Sequence, residues 1–168
     1  IPVFREQIEK GGPVTLTDPK MSRFFLTYDD VAELVVGAMK HTQGGELFIR
    51  KMDAIRIEDL AEAMIEAFAP SYGHDPAQIE VEQTGRRVGE TFDEKILTER
   101  EVSRTMESES LYAVVPEQSG ENGYLNHDGI RGFEPVDDVV RSSENADKLS
   151  KNEILELLRT EFEEEIGS

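Results

Sequence analysis

Apolar positions along the chain follow two alternating patterns. Phe4 and Ile8, four apart between Val3 and Lys10, predict a short amphipathic helix that Gly11-Gly12 stops. Val14-Thr15-Leu16-Thr17 predicts a strand after Pro13, broken at Asp18-Pro19 because proline drives its preceding residue out of the helical region. Arg23 to Thr27 predicts a second strand, with Arg23, Phe25 and Thr27 on one face and Phe24 and Leu26 on the other. Thr27 and Asp30 then form a capping-box pair ahead of Val31, Leu34, Val35, Ala38 and Met39, which recur at helical spacing up to about His41. Gly44-Gly45 leads into a strand over Glu46 to Arg50. Ile57, Leu60, Ala61, Met64, Ile65 and Phe68 mark another helix, closed by Pro70 and Gly73. Both helical stripes are expected to be core packing.

Downstream, Gln78 to Glu82 alternates as a half-exposed strand and delivers the chain to Gly85-Arg86-Arg87-Val88-Gly89-Glu90. Leu111 to Val115 reads as a strand ended by Pro116. Residues 117–148 are rich in Gly, Asn, Ser and Asp without a period, which predicts a long surface excursion with one brief ordered piece and a glycine turn at Asn126-His127-Asp128-Gly129. Ser150 and Glu153 open a helix with Ile154, Leu157, Leu158 and Phe162 inward, and the acidic Glu161 to Glu165 is expected to be a frayed, solvated end. The organisation predicted is 1–116, 117–148 and 149–168, and the fold class is α/β with a small mixed sheet.

Composition narrows the chemistry. With 36 acidic and 18 basic residues among 168 the net charge is -18, so the mean field repels DNA or RNA, and nucleic acid is excluded as a partner. The acidic excess also suggests a surface adapted to high salt, with an ordinary acidic protein as the alternative. There is no cysteine, and His41, His74 and His127 share no ligand spacing, so no metal site is expected. No apolar run reaches the roughly 18 residues of a membrane span and no signal pattern opens the chain, so a soluble cytoplasmic protein is expected.

In so acidic a chain, isolated arginines beside glycine turns stand out. A guanidinium is a rigid fork of donors suited to phosphate oxygens, and glycines let backbone approach a ligand closely. Arg23, set among aromatics in Met21-Ser22-Arg23-Phe24-Phe25-Leu26-Thr27, is one candidate, and Arg86-Arg87 is the other. Glu90, three residues after Arg87, can accept two hydrogen bonds from the vicinal hydroxyls of a ribose. Taken singly, Arg23 reads as well as a strand-edge arginine paired with a carboxylate, and the turn as a loop with an ion pair.

Together and in this order, the segments from Gly-Gly-Pro-Val-Thr-Leu-Thr-Asp-Pro through Gly-Gly-Glu-Leu-Phe-Ile to Gly-Arg-Arg-Val-Gly-Glu resemble the C-terminal half of the CapD-like polysaccharide-biosynthesis dehydratases and epimerases. These belong to the extended short-chain dehydrogenase/reductase superfamily. The nearest branch is the inverting UDP-N-acetylglucosamine 4,6-dehydratase, a lyase, and the resemblance covers residues 1 to about 116. It implies that Arg23 and Arg87 bind the diphosphate and Glu90 the ribose of a UDP-sugar. The strand Val14, Thr15 and Leu16 would run beside the uracil, and Glu94 matches the acid ending the family's motif. Val88, Thr91 and Asp93 depart from that motif's proline, lysine and histidine.

The family's NAD(P) site and its Tyr-x-x-x-Lys pair have no counterpart here. Tyr28, Tyr72, Tyr112 and Tyr124 lack a lysine four residues on, and no glycine-rich fingerprint occurs. The expectation is therefore a substrate-binding half with no catalytic residue. NAD(P) would be held by a missing N-terminal Rossmann half, in the same or a separate chain, and self-association is left open. The alternative is a non-enzymatic remnant or interaction module that keeps the fold.

Overall fold

The helix starts marked by Thr or Ser three residues ahead of an acid are made as the pattern predicts. The structure is a computed structural model and describes residues 1–117, 130–136 and 138–166. In chain order the elements are α1 (Pro2–Glu9), β1 (Val14–Leu16), β2 (Ser22–Phe24), α2 (Tyr28–His41), β3 (Leu47–Arg50), β4 (Ala54–Arg56), α3 (Ile57–Phe68) and β5 (Val81–Gln83). Then come α4 (Glu99–Val102), β6 (Thr105–Glu107), β7 (Leu111–Val114), β8 (Glu134–Pro135), α5 (Lys151–Glu161) and α6 (Glu163–Ile166). Thr27 N–H donates to Asp30 Oδ2 at 3.0 Å and Ser150 N–H to Glu153 Oε2 at 2.8 Å, fixing the starts of α2 and α5.

The chain divides into two compact units, one of residues 1–25, 53–94 and 147–168, the other of 26–52 and 95–146. In the first unit, α3 buries Leu60, Ala61, Met64 and Phe68 in one cluster with Ile8 of α1, Val14 and Leu16 of β1, and Ile154, Leu155 and Leu158 of α5. Burying a side chain such as Phe68 or Leu158 contributes on the order of 1.5–3 kcal/mol. β1 and β5 pair in parallel, Val14 opposite Val81, and β2 pairs antiparallel with β4, Arg23 opposite Ile55.

Three expectations are corrected in this unit. β2 stops at Phe24 rather than running to Thr27, because Thr27 is taken as the cap of α2. Leu155 is buried on α5 where Leu157 was expected, since the face toward α3 is set by packing. The acidic end is not frayed: Phe162 and Ile166 pack on the core, Phe162 lies edge-on to Phe68 at 5.6 Å, and Glu165 pairs with Arg5.

The second unit is an antiparallel sheet in the order β3-β7-β6-β8. β7 is buried throughout because both faces are covered, Tyr112 and Val114 by Leu97 and Val139, Leu111 and Ala113 by Ile130, Phe133 and Leu34. α2 packs here by Leu34 and Gly37, where an added Cβ would stand 2.9 Å from Leu111 Cδ1. Its predicted stripe is split: Val31, Val35 and Met39, with Tyr28 and Val36, lie on an exposed face, Met39 at 75% exposure. The segment expected as a surface excursion instead buries Ile130, Phe133, Val139, Ser142, Ser143 and Ala146. Single apolar residues without a period can anchor irregular backbone, which is why periodicity missed them. The Asn126–Gly129 turn lies outside the described residues. Among the described residues no helix is long and apolar enough to cross a membrane.

Candidate anion-binding site

The residues singled out as a binding site all belong to the first unit. Leu16 O accepts from Thr84 N–H at 2.8 Å, so the chain leaves the parallel β1–β5 pair at Thr84 and turns at once, with Gly85 at φ 83°. The Gly85–Glu90 turn therefore stands at the carboxyl end of two parallel strands, the end where open α/β sheets bind ligands. Gly89, at φ 88°, completes the bend, and a Cβ at either glycine would meet nothing, so backbone conformation and not crowding requires glycine there.

Glu90 closes this turn. Its Oε2 accepts from Arg87 N–H at 2.9 Å, and its own N–H donates to Arg87 O at 3.2 Å. Arg86 folds back, with Nη2 donating to Glu90 O at 3.0 Å and Cζ lying 4.2 Å from the Phe92 ring centroid. The Arg87 guanidinium has no ion pair or hydrogen bond among the described residues. Among the described residues Glu90 Oε1 has no donor of its own.

Beyond the turn the chain runs alongside β2. Ser22 N–H donates to Phe92 O at 3.0 Å, the Ser22 hydroxyl to Asp93 Oδ1 at 2.5 Å, and Phe24 N–H to Glu94 Oε2 at 3.0 Å. Arg23 is fixed by backbone carbonyls. Its Nη1 donates to Ser22 O at 2.6 Å and Phe92 O at 2.8 Å, its Nη2 to Thr91 O at 3.1 Å, and its Nε stands 3.9 Å from Glu94 Oε1. A quarter of that side chain stays exposed, at 26%. Arg23 and Arg86 thus both contact the segment Thr91 to Glu94, which follows directly on the turn that carries Arg87 and Glu90. Glu94 acts there as a clamp on β2.

The β1 backbone is largely occupied. Val14 N–H donates to Glu80 O at 2.9 Å, and the Leu16 carbonyl is taken by Thr84. Thr15 N–H, which points the other way, is taken by Gln7 Oε1 at 3.0 Å, while Gln7 Nε2 donates to the Thr15 hydroxyl at 2.7 Å. This leaves the Thr15 carbonyl on the open edge. Sequence patterning had singled out none of Gln7, Ser22 or Phe92: Ser22 meets Phe92 and Asp93, the latter 71 residues on, and Gln7 bonds Thr15 across the glycine turn, contacts that leave no periodic trace.

The other unit has a concavity lined by Lys51, Glu107, Glu109, Phe133 and Glu134. Lys51 is neutralised there by Glu107 at 2.7 Å, so the concavity favours no anion. No group of three or more His, Cys, Asp or Glu among the described residues could hold a metal ion.

The sequence profile of a family described as polysaccharide biosynthesis protein matches residues 1–116, more than half of the chain. The chain belongs to the polysaccharide biosynthesis protein family. An uncharacterized membrane protein of Methanocaldococcus jannaschii is 38% identical over 159 residues, covering 95% of this chain and 44% of that protein. A UDP-glucose 4-epimerase of Rickettsia massiliae is 29% identical over 162 residues, covering 95% of this chain and 45% of that enzyme. Among solved structures, Pen from Bacillus thuringiensis superposes with a TM-score of 0.77 at 30% identity, over 95% of this chain and 44% of that one. The fold is accordingly a partial extended short-chain dehydrogenase/reductase fold of mixed α/β class. This family member spans less than half the length of those relatives.

Proposed function

We propose that the chain is the nucleotide-sugar-binding portion of a polysaccharide-biosynthesis 4,6-dehydratase or epimerase and is not catalytic alone. The observation that carries this reading is the pair Arg23 and Arg87, tied to one short segment at the carboxyl end of a parallel strand pair in a protein of net charge -18. The free Arg87 guanidinium offers donors to a phosphate of a UDP-sugar, and Arg23, whose donors are turned onto Ser22, Thr91 and Phe92, adds its positive charge beside it. Glu90 Oε1 is the acceptor for a ribose hydroxyl, and the Thr15 carbonyl is the acceptor left for the uracil. UDP-N-acetylglucosamine is the sugar nucleotide of the branch the motifs resemble.

The residues of this chain do not fit NAD(P): they include neither a glycine-rich phosphate turn nor a Tyr-x-x-x-Lys pair. The cofactor and the proton-transfer groups belong to a Rossmann half, in the same or a separate chain. The outer face of α2 supports such a partner, because a helix apolar on two sides is normally covered on both. The partner's chemistry is then an apolar layer of an α/β sheet domain, as the roughly doubled length of the relatives suggests.

A second reading, a remnant that keeps the fold without the chemistry, is favoured by one observation. Asp93, where the resembled motif has histidine, is bound to Ser22 inside the protein. Titration of the chain with UDP in molar KCl, followed by NMR shifts or tyrosine fluorescence, separates the two. Saturable binding supports the nucleotide-sugar reading. A folded chain indifferent to millimolar UDP leaves the remnant.

A further inference from the structure

Arg86 and Phe92 have no part in the roles so far assigned, yet they connect everything that has one. The segment Thr91-Phe92 is gripped twice: Arg23 holds its two carbonyls at 3.1 and 2.8 Å, and Arg86 lies on the Phe92 ring at 4.2 Å. Arg86 simultaneously bonds Glu90 O, the residue whose carboxylate closes the turn on Arg87 N–H. The turn is closed on itself by Glu90 on Arg87 N–H and runs directly into Thr91, and the Arg86 stack is the side-chain contact that ties it back onto Phe92. It also directs the Arg86 charge onto an aromatic face and a carbonyl, leaving Arg87 as the guanidinium of the turn that is free of partners among the described residues.

We propose that Arg86, stacked on Phe92, is a positioning residue that sets the spacing between Arg87 and Arg23 and so makes the pair selective for a diphosphate over a single phosphate. This rests on the reading that Arg23 and Arg87 bind the anion. A monophosphate needs only one of the two guanidiniums and is indifferent to their separation. A diphosphate engages both at once, and a turn that drifts on its glycines loses that chelation.

The test is calorimetry of the whole chain with UDP and with UMP, on Arg86→Ala, Phe92→Leu and Phe92→Tyr, each also in an Arg87→Ala background. Arg86→Ala and Phe92→Leu should raise the Kd for UDP by roughly two- to fivefold, the scale of an exposed cation–π contact. UMP affinity and the melting temperature should hold, and Phe92→Tyr, which keeps the ring, should bind UDP as the unaltered chain does. In the Arg87→Ala background the effect of Arg86→Ala should vanish, since it acts through Arg87. Equal losses for UDP and UMP, or strict additivity with Arg87→Ala, would overturn the positioning role. If Arg87→Ala weakens UDP binding and Arg86→Ala does not, the positioning role falls and the binding site stands. An unaltered, folded chain that binds neither nucleotide overturns both.

Discussion

Arg87 and Asp53 are the two side chains whose replacement says most, and for opposite reasons. Arg87 is charged, exposed and unpaired among the described residues, so its removal costs the fold little. Arg87→Ala should weaken UDP binding by roughly 1.5–3 kcal/mol, the range for hydrogen bonds to charged groups, with no change in melting temperature. Asp53 is a carboxylate the fold tolerates at a cost: burial, then the neighbouring Asp147 and Glu153, push its pKa up. A folded pKa above the unfolded value of about 3.9 means that the native state holds the proton better. The penalty is therefore present at neutral pH, shrinks as pH falls through the folded pKa, and is gone below the unfolded one. Asp53→Asn should raise the melting temperature at pH 7 and leave it unchanged near pH 3 in thermal scans. At this scale the sequence disclosed residue types but not partners. Arg23, Arg87 and Glu90 stood out against an acidic background, whereas the stack of Arg86 on Phe92 and the fastening of Thr15 by Gln7 depend on tertiary approach.

α2 shows how far an element can be read. Its start and end follow from Thr27, Asp30 and His41, because capping is local chemistry that sequence states directly. Which side it buries is not local: Leu34 and Gly37 face the sheet, while Val31, Val35 and Met39 do not. Val35→Lys should accordingly shift stability by no more than about 0.5 kcal/mol. Leu34→Lys should unfold the second unit, both read by denaturant melts. The cap has its own pH signature. Burial alone would raise the Asp30 pKa, but the Thr27 N–H and hydroxyl and the Arg50 guanidinium outweigh it and hold the pKa below its usual value. Such a group stabilises above the unfolded pKa and loses that contribution as pH falls through the folded one. Asp30→Asn should be destabilising at pH 7 and neutral in strong acid. The strands β4, β6 and β8 escaped the pattern, since Ala54-Ile55-Arg56, Thr105-Met106-Glu107 and Glu134-Pro135 show no alternating run and are recruited by pairing with strands far away in sequence or next to them in the sheet.

The whole molecule carries a charge of -18 with its candidate site on the few arginines, so bulk field and site have opposite preferences. Salt screens the first over a Debye length of about 3 Å at 1 M. Melting temperature should rise from dilute buffer to molar KCl, and equal values would remove the idea of a salt-adapted surface. Fold class was legible because strands and helices alternate, but the grouping of elements into units was not. The chain passes between its two units at residues 25/26, 52/53, 94/95 and 146/147. α5, made late, supplies Ile154, Leu155 and Leu158 to a core begun by Ile8 near the start. During synthesis the first unit consequently stays open until residues 147–166 have cleared the ribosome. A nascent chain stalled before that point exposes the apolar side of α3 to whatever chaperone attends the exit tunnel.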